Sequence, residues 1–214
     1  MITVKNFVFG PFGENTYILF DETHECAIVD AGCYTAQEQA ILKDFIADKK
    51  LKPTLRLCTH AHIDHITGNC FVFDTYGLKP LLHKADMFAL EAQERVCQMY
   101  QLEYHQSPMP DKFIEDGDEL TFGNTTLKVL FVPGHSPGPV AFYCAKSHLV
   151  ICGDVLFKGT VGRTDLPGSN FPDLEKSIKT KLYTLPDETT VYSGHGLVTN
   201  IGQEKTHNMF VNAD

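Results

Sequence analysis

The feature that most constrains the fold of this chain is a dense run of metal-binding residue types at residues 59–65, Thr-His-Ala-His-Ile-Asp-His. It follows a short apolar segment, residues 55–58, whose pattern predicts a β-strand. Imidazole and carboxylate groups are ligands that zinc, iron and manganese accept. Because alternate side chains of an extended segment point the same way, we expect His60 and His62 to face one side.

Asp64 and His65 complete this run where the chain turns into the next predicted helix, and they could face a second ion. The alternative is a surface cluster of histidines without any metal. That arrangement would pack imidazole rings together for no gain, so the run favours a metal centre at the end of a strand.

Three further candidates lie at the ends of predicted strands, each beside a glycine: His135, Asp154 and His195. Glycine lets the backbone turn tightly next to a ligand, and loops at strand ends are common places for binding sites. Each residue alone would more often be a structural histidine or a turn aspartate, but together with the cluster they complete a set that could hold two metals. Asp30 also ends a strand, and two readings stay open: it orients a ligand histidine from behind, or it is a turn residue.

Length and composition exclude several classes of protein. The chain has 214 residues and a net charge of −9, so we expect one domain over residues 1–214 that does not bind nucleic acid through bulk charge. No apolar run approaches the ~20 residues needed to cross a bilayer, and the amino terminus does not have the pattern of a secretion signal. Seven cysteines, mostly in apolar segments, favour reduced thiols in a cytoplasmic protein.

The order of predicted elements indicates an α/β fold in which two packed mixed sheets are flanked by helices. Residues 104–117 contain two prolines and several acids, and they are predicted to be a loop that serves as a lid or a linker. Helices are predicted at residues 35–49, 84–102 and 171–182, and strands at residues 3–9, 16–20, 26–29, 55–58, 119–122, 125–132, 140–144, 149–152 and 190–192.

Taken together, the motifs at residues 59–65, 134–136, 153–154 and 193–195 resemble the successive metal motifs of the metallo-β-lactamase superfamily, in order and separation. The resemblance covers essentially the whole chain and implies an αββα sandwich with metals at one edge. It implies a first metal at His60, His62 and His135 and a second at Asp64, His65 and His195, with Asp154 bridging the two.

Within that family, residues 153–168 are similar to hydroxyacylglutathione hydrolases of the glyoxalase II type, and also to persulfide dioxygenases, which share the Gly-Arg-Thr-Asp run. The resemblance gives Asp154 a bridging role that true β-lactamases of this fold typically lack, which argues against antibiotic hydrolysis. Flavodiiron proteins usually carry an acid in place of His62. From the short stretch after His195, we expect a domain without the C-terminal helical extension of longer glyoxalase II proteins.

These features lead us to expect hydrolysis of a small-molecule thioester by a metal-bridging hydroxide, with no nucleic-acid or membrane partner. We expect two divalent metal ions, with zinc favoured and iron or manganese possible. Asp64 and Asp154 are counted as catalytic, and Arg163 is a candidate for binding a substrate carboxylate. Arg163 could instead form a structural ion pair with Asp165 or Asp154.

A thiolate leaves with little help from a general acid, which suits a chain in which we find no carboxyl group or histidine beyond the ligand set to act as one. The rival expectation is a persulfide dioxygenase. It would bind one iron through His60, His135 and Asp154, which are the two histidines and one carboxylate typical of iron oxygenases.

Overall fold

A five-stranded sheet forms the amino-terminal half of the computed structural model, which describes residues 2–213. Its strands lie in sequence order: β1 (Thr3–Phe9), β2 (Glu14–Phe20), β3 (Glu25–Val29), β4 (Lys52–Leu57) and β5 (Pro80–Leu81). The first three are antiparallel, whereas β4 and β5 run parallel to β3. The switch to parallel pairing follows from the long connections before β4 and β5. A strand can pair in parallel with the preceding one only after a crossover of about a dozen residues or more.

A second sheet of six strands contains β6 (Glu119–Phe122), β7 (Thr125–Phe131), β8 (Val140–Cys144), β9 (Leu149–Gly153), β12 (Thr190–Ser193) and β13 (Thr199–Asn200). Their order is β13-β12-β9-β8-β7-β6, with β12 parallel to β9. A separate hairpin joins β10 (Leu156–Phe157) to β11 (Thr160–Val161). The predicted strands are confirmed, while the short β5, β10, β11 and β13 carry too little pattern to be predicted.

Helix α1 (Ala36–Asp48) confirms the helix predicted at residues 35–49. Thr35 caps it, and the Thr35 and Glu38 side chains exchange hydrogen bonds with each other's backbone in a capping box. Leu42 and Ile46 form its buried face. Ile41, next to Leu42 in sequence, is 44% exposed.

The helical prediction for residues 84–102 is confirmed in outline, with interruptions. A 3-10 turn at Lys84–Asp86 is followed by α4 (Met87–Glu91) and α5 (Gln93–Tyr100), which are separated at Ala92. Asp86, at the end of the 3-10 turn, is fully buried and accepts hydrogen bonds from two other loops. Its side chain therefore faces the interior and not solvent.

The remaining helices are α2 (Ile63–Ile66), α3 (Asn69–Tyr76), α6 (Phe171–Ser177) and α7 (Ile201–His207). A wider π-type turn at Ile178–Leu182 continues α6, so the helical prediction for residues 171–182 is confirmed with a change of winding. No helix in residues 2–213 combines the length and apolarity that a bilayer crossing requires.

The core forms three apolar layers. Leu57 of the first sheet and Val129 and Ile151 of the second pack in the layer between the sheets. The outer faces are covered by helices, with Leu42 of α1 on one side and Leu174 of α6 on the other. All five side chains are fully buried, and each such aliphatic group stabilises the fold by roughly 1.5–3 kcal/mol. The result is the αββα sandwich that the sequence predicts.

This arrangement brings four strand ends to one edge of the sandwich, because β4, β7, β9 and β12 all end there. Residues 104–117 contain no helix or strand, as predicted, but they are anchored to the body. The Ser107 N–H donates to Gln93 Oε1 at 3.1 Å, and the Ile114 N–H donates to Leu82 O at 3.1 Å. The segment is therefore a packed loop and not a linker between domains.

Candidate metal centre

The first histidine follows directly from the end of β4. Asp30, at the end of the neighbouring β3, accepts the Thr59 N–H at 2.7 Å and the Thr59 hydroxyl at 2.6 Å. These two bonds fix the turn into His60, whose side chain is buried. Asp30 has a left-handed backbone with φ 48°, a conformation that aspartate tolerates better than most residues.

Three histidines converge at this edge: His60, His62 and His135. One nitrogen from each ring lies within 4.8 Å of the others. The shortest approach joins His62 Nδ1 to His135 Nε2 at 2.8 Å. The rings meet edge to face, with centroids 4.6–4.9 Å apart.

A second group lies beside the first and contains Asp64, His65 and His195. His195 Nε2 is 3.0 Å from Asp64 Oδ2, and His65 Nε2 is 3.7 Å from the same oxygen. Asp64 and His65 come from α2, which begins immediately after His62, whereas His195 follows β12 of the second sheet. Side chains from both sheets thus build this group.

Asp154 lies between the two groups. Its Oδ1 is 3.4 Å from His65 Nε2, and its Oδ2 is 3.7 Å from His135 Nε2 and 3.5 Å from His195 Nε2. A carboxylate that reaches both groups has the position required of a bridging ligand. All seven side chains predicted to bind metal are therefore brought together, and their individual roles remain predictions.

Unsatisfied polar atoms test whether this set fits a cation. His60 Nε2, His65 Nε2 and Asp154 Oδ1 are buried, and within residues 2–213 none of them has a hydrogen-bond partner. Buried polar atoms normally have partners, because leaving one unpaired costs roughly 1–3 kcal/mol. Imidazole nitrogens and carboxylate oxygens aimed at one another are the donor atoms that zinc and iron accept, so the residues present fit a metal centre.

The protonation states of the first histidines also fit. Burial, reinforced by the neighbouring His65, lowers the pKa of His60 well below its usual value. Burial and the adjacent His135 lower the pKa of His62 to about 4. Both rings are therefore neutral near pH 7, which leaves a lone pair for a metal.

The second group is more strongly charged. Burial alone would raise the pKa of Asp64 and Asp154, but the nearby His65 lowers both. Burial alone would lower the pKa of His65, but Asp64, Asp154 and Asp30 raise it. The carboxylates that draw a proton to His65 would attract a divalent cation by the same electrostatics.

Backbone and carboxylate partners orient the other nitrogen of three rings. His65 Nδ1 is 3.1 Å from Asp30 Oδ2, which supports the interpretation that Asp30 orients a ligand histidine. His135 Nδ1 is 2.8 Å from the backbone oxygen of Arg163, and His195 Nδ1 is 3.2 Å from Gly13 O.

Arg163 thus contacts the centre through its backbone. Its guanidinium forms a two-pronged ion pair with Asp165, at 2.6 and 2.7 Å, and not with Asp154. The ion pair lies at the surface, with the Arg163 side chain 58% exposed. The structural ion pair that the sequence left open for Arg163 is therefore formed with Asp165. A contact between Arg163 and a substrate remains a prediction.

A further carboxyl group that the sequence did not reveal lies behind His65. Glu14 is fully buried, accepts the Thr16 hydroxyl at 2.8 Å, and has Oε1 3.8 Å from His65 Nδ1. Burial raises its pKa well above the usual value. Glu14 lies at the start of a strand, and its sequence position does not mark it as part of the centre. In the structure, a side chain at Gly32 would overlap the Glu14 carboxylate.

Asn15 is a second residue that sequence reasoning missed. Its side-chain amide donates to Ser193 O at 2.9 Å and to Gly196 O at 3.1 Å, on both sides of His195. The Asn15 N–H also donates to Gly194 O at 2.7 Å. The first hairpin therefore fixes the loop that carries the last ligand candidate.

Two packed mixed sheets with a histidine- and aspartate-rich centre at one edge define an αββα metal-binding sandwich. A sequence profile described as the Metallo-beta-lactamase superfamily matches residues 9–195, so the chain belongs to that superfamily.

Sequence relatives cover nearly the full length. The chain is 40% identical to "Probable metallo-hydrolase YqgX" of Bacillus subtilis (strain 168), over 95% of this chain and 94% of that protein. It is 32% identical to "Hydroxyacylglutathione hydrolase GloC" of Haemophilus influenzae (strain ATCC 51907 / DSM 11121 / KW20 / Rd), over 94% of each.

Solved structures with the same fold include the BLEG-1 B3 metallo-beta-lactamase, at TM-score 0.89 and 35% identity, covering 99% of both chains. TTHA1623 in a di-iron-bound form gives TM-score 0.88 and 36% identity, over 97% of this chain and 100% of that one. ETHE1 from Myxococcus xanthus gives TM-score 0.76 and 25% identity, over 97% and 83%.

Proposed function

We propose that this chain is a metal-dependent hydrolase that cleaves a thioester of the hydroxyacylglutathione type. The observation that carries the proposal is the position of Asp154, whose two oxygens lie 3.4–3.7 Å from ring nitrogens of both ligand groups. One carboxylate shared in this way suits a two-cation centre. The similarity to a hydroxyacylglutathione hydrolase over 94% of each chain supports the substrate class.

His60, His62 and His135 would bind one cation, Asp64, His65 and His195 the other, and Asp154 both. Bound there, divalent cations would supply Lewis acidity toward the thioester carbonyl and lower the pKa of a water molecule toward neutrality. Neutral His60 and His62 and ionised Asp64 provide the lone pairs for this. The all-nitrogen and oxygen ligand set favours zinc, and the di-iron form of a similar protein keeps iron open.

The carboxyl groups behind the centre support a thiolate leaving group. Glu14 and Asp30 are buried behind His65, so neither is positioned to protonate a departing group. A thiol with a pKa of about 8.5 leaves as thiolate and needs no such acid, whereas an amine does. Asp154 and Asp64 would act from their ligand positions, and Arg163 would bind a substrate carboxylate if it leaves Asp165.

The second candidate is a persulfide dioxygenase with one iron at His60, His135 and Asp154. One observation favours keeping it: the three residues lie at the same centre, with His135 Nε2 3.7 Å from Asp154 Oδ2. The similarity to a B3 metallo-beta-lactamase adds β-lactam hydrolysis as a reaction to measure, although Asp154 argues against it.

Metal content and oxygen uptake distinguish these activities in one experiment. Protein purified without added metal is analysed for zinc, iron and manganese, and is then assayed with lactoylglutathione, glutathione persulfide and a β-lactam in an oxygen-electrode cell. We expect close to two metals per chain and thioester cleavage without oxygen consumption. One iron per chain with oxygen uptake on the persulfide would replace the hydrolase by the dioxygenase.

We also propose a cytoplasmic location, because the seven cysteines are all free thiols and six are buried.

A further inference from the structure

Asp86 is a buried carboxylate that the chemistry described above does not use. It ends the 3-10 turn between β5 and α4 and is fully inaccessible to solvent. Its Oδ2 accepts the backbone N–H of Ala61 at 2.9 Å. Ala61 lies between His60 and His62, so this bond is made at the middle of the first histidine loop.

The other oxygen of Asp86 contacts a loop of the opposite sheet. Oδ1 accepts the Gly138 N–H at 2.7 Å and the Ser136 hydroxyl at 2.9 Å, and the same hydroxyl is 3.0 Å from Oδ2. Ser136 directly follows His135. One carboxylate therefore joins the loop after β4 to the loop between β7 and β8, and each loop carries histidines of the same ligand group.

The contact between Asp86 and the loop at Gly138 leaves no room for a side chain at Gly138. A Cβ atom at Gly138 would lie 2.6 Å from the Asp86 backbone nitrogen and 2.8 Å from Asp86 Oδ1. Real Cβ atoms do not approach that closely, so the absence of a side chain at this position lets the loop approach the carboxylate.

We propose that Asp86 is a positioning residue that sets the spacing between His135 and the pair His60 and His62. Zinc–nitrogen bonds have lengths near 2.0–2.1 Å, so a small displacement of one loop weakens binding. Asp86 makes no hydrogen bond to Asp64, His65 or His195, whose nitrogens and oxygens are fixed by other residues. Its loss is therefore expected to weaken the first site selectively. The inference rests on the metal centre proposed above and not on the identity of the substrate.

Asp86→Asn is the sharpest perturbation because it preserves shape. Its amide nitrogen must face either the Ala61 N–H or the Gly138 N–H, and both of these groups are donors. One of the two connections therefore breaks, while the other survives. Ser136→Ala is a milder second variant that removes only the hydroxyl and keeps both backbone bonds.

The chain provides a matched control in Asp21, a buried carboxylate at the opposite edge of the sandwich. It also joins the two sheets: Oδ1 accepts the Thr23 N–H at 3.0 Å, and Oδ2 accepts the Asn124 N–H and the Thr125 hydroxyl, both at 2.8 Å. Asp21→Asn removes a comparable connection without touching the ligand loops.

The test loads the wild-type protein and the three variants with Zn²⁺, removes the excess, and measures zinc per chain by elemental analysis. Competition with a chromogenic chelator then gives the affinity of each site. We expect two zinc ions in wild type and in Asp21→Asn. In Asp86→Asn, one site should be weakened about 10–100-fold, the range for partners that support metal ligands. Ser136→Ala should weaken the same site by up to about 10-fold.

Four results would overturn the inference or its basis. Wild-type affinity at both sites in Asp86→Asn would remove the positioning role. Equal zinc loss in Asp21→Asn would assign the effect to general destabilisation. If Asp86→Asn does not fold, undiminished affinity in Ser136→Ala overturns the proposal, and a selective loss there supports it. A wild-type protein that binds no metal would refute the metal centre itself. The zinc content of the wild-type protein therefore distinguishes that failure from the failure of the Asp86 inference alone.

Discussion

Replacing Asp30 by asparagine tests the orientation of His65 most directly. The Asp30 carboxylate accepts two hydrogen bonds from Thr59 and lies 3.1 Å from His65 Nδ1. If the asparagine oxygen keeps the bond from the Thr59 N–H, its amide nitrogen faces His65 Nδ1. The ring must then present a lone pair at Nδ1 and carry its proton on Nε2, the atom that faces Asp64 and Asp154.

The size of the effect follows from this change of tautomer. A protonated Nε2 cannot bind a metal, so cation binding has to reverse the unfavourable contact. Partners that support metal-bound histidines typically contribute 10–100-fold to affinity, or about 1.4–2.8 kcal/mol at 1.4 kcal/mol per tenfold. We expect that loss at the site of Asp64, His65 and His195.

Chelator competition on zinc-loaded protein measures this loss, and Glu14→Gln is the matched control. Glu14 Oε1 is 3.8 Å from His65 Nδ1, beyond hydrogen-bond distance, so its amide variant should change zinc affinity less than about threefold. Unchanged affinity in Asp30→Asn, or an equal loss in Glu14→Gln, would refute the argument from ring orientation.

Three further outcomes are expected. His195→Ala should reduce bound metal from two ions to one and abolish thioester cleavage in a coupled assay of metal content and turnover; intact turnover would point to a one-metal site. Arg163→Ala should raise KM about 10-fold with kcat within about twofold, measured by steady-state kinetics on an anionic thioester; an unchanged KM would leave only the ion pair with Asp165. Asp21 should contribute to acid stability: burial alone would raise its pKa, but hydrogen bonds from Thr23 and other neighbours lower it to about 2. The unfolded chain, with a pKa near 3.8, then binds more protons below that pH. This contribution is complete above pH 3.8 and is lost as pH falls through 2. The free energy of unfolding of Asp21→Asn, measured with urea, should therefore depend less on pH in the acid range than that of the wild-type protein. An identical pH dependence would contradict the assignment.

The ligand candidates could be predicted because their signals are local. His60 and His62 alternate after a strand, and His135, Asp154 and His195 each follow a strand beside glycine. Strand ends that share one edge of a sheet then bring distant residues together. The strands and α1 were likewise visible in apolar patterning.

The supporting residues could not be predicted, because their role depends on partners far away in sequence. Asp86 contacts Ala61 and Gly138, 25 and 52 positions away. Asn15 contacts Ser193, 178 positions away. The helical stretch predicted at residues 84–102 includes Asp86 and gives no sign that its carboxylate is buried. Only the assembled sandwich shows that this charge points inward.

The ligand set draws on both sheets: His60, His62, Asp64 and His65 follow β4 of the first, while His135, Asp154 and His195 follow strands of the second. Cation binding and the stability of the packing between the two sheets are therefore thermodynamically linked. An ion present at 1,000 times its dissociation constant adds about 4 kcal/mol against global unfolding. Removal of the cations by a chelator should consequently destabilise the packing between the sheets first. Amide hydrogen exchange should then become faster along β4 and β9 before it becomes faster in the outer helices.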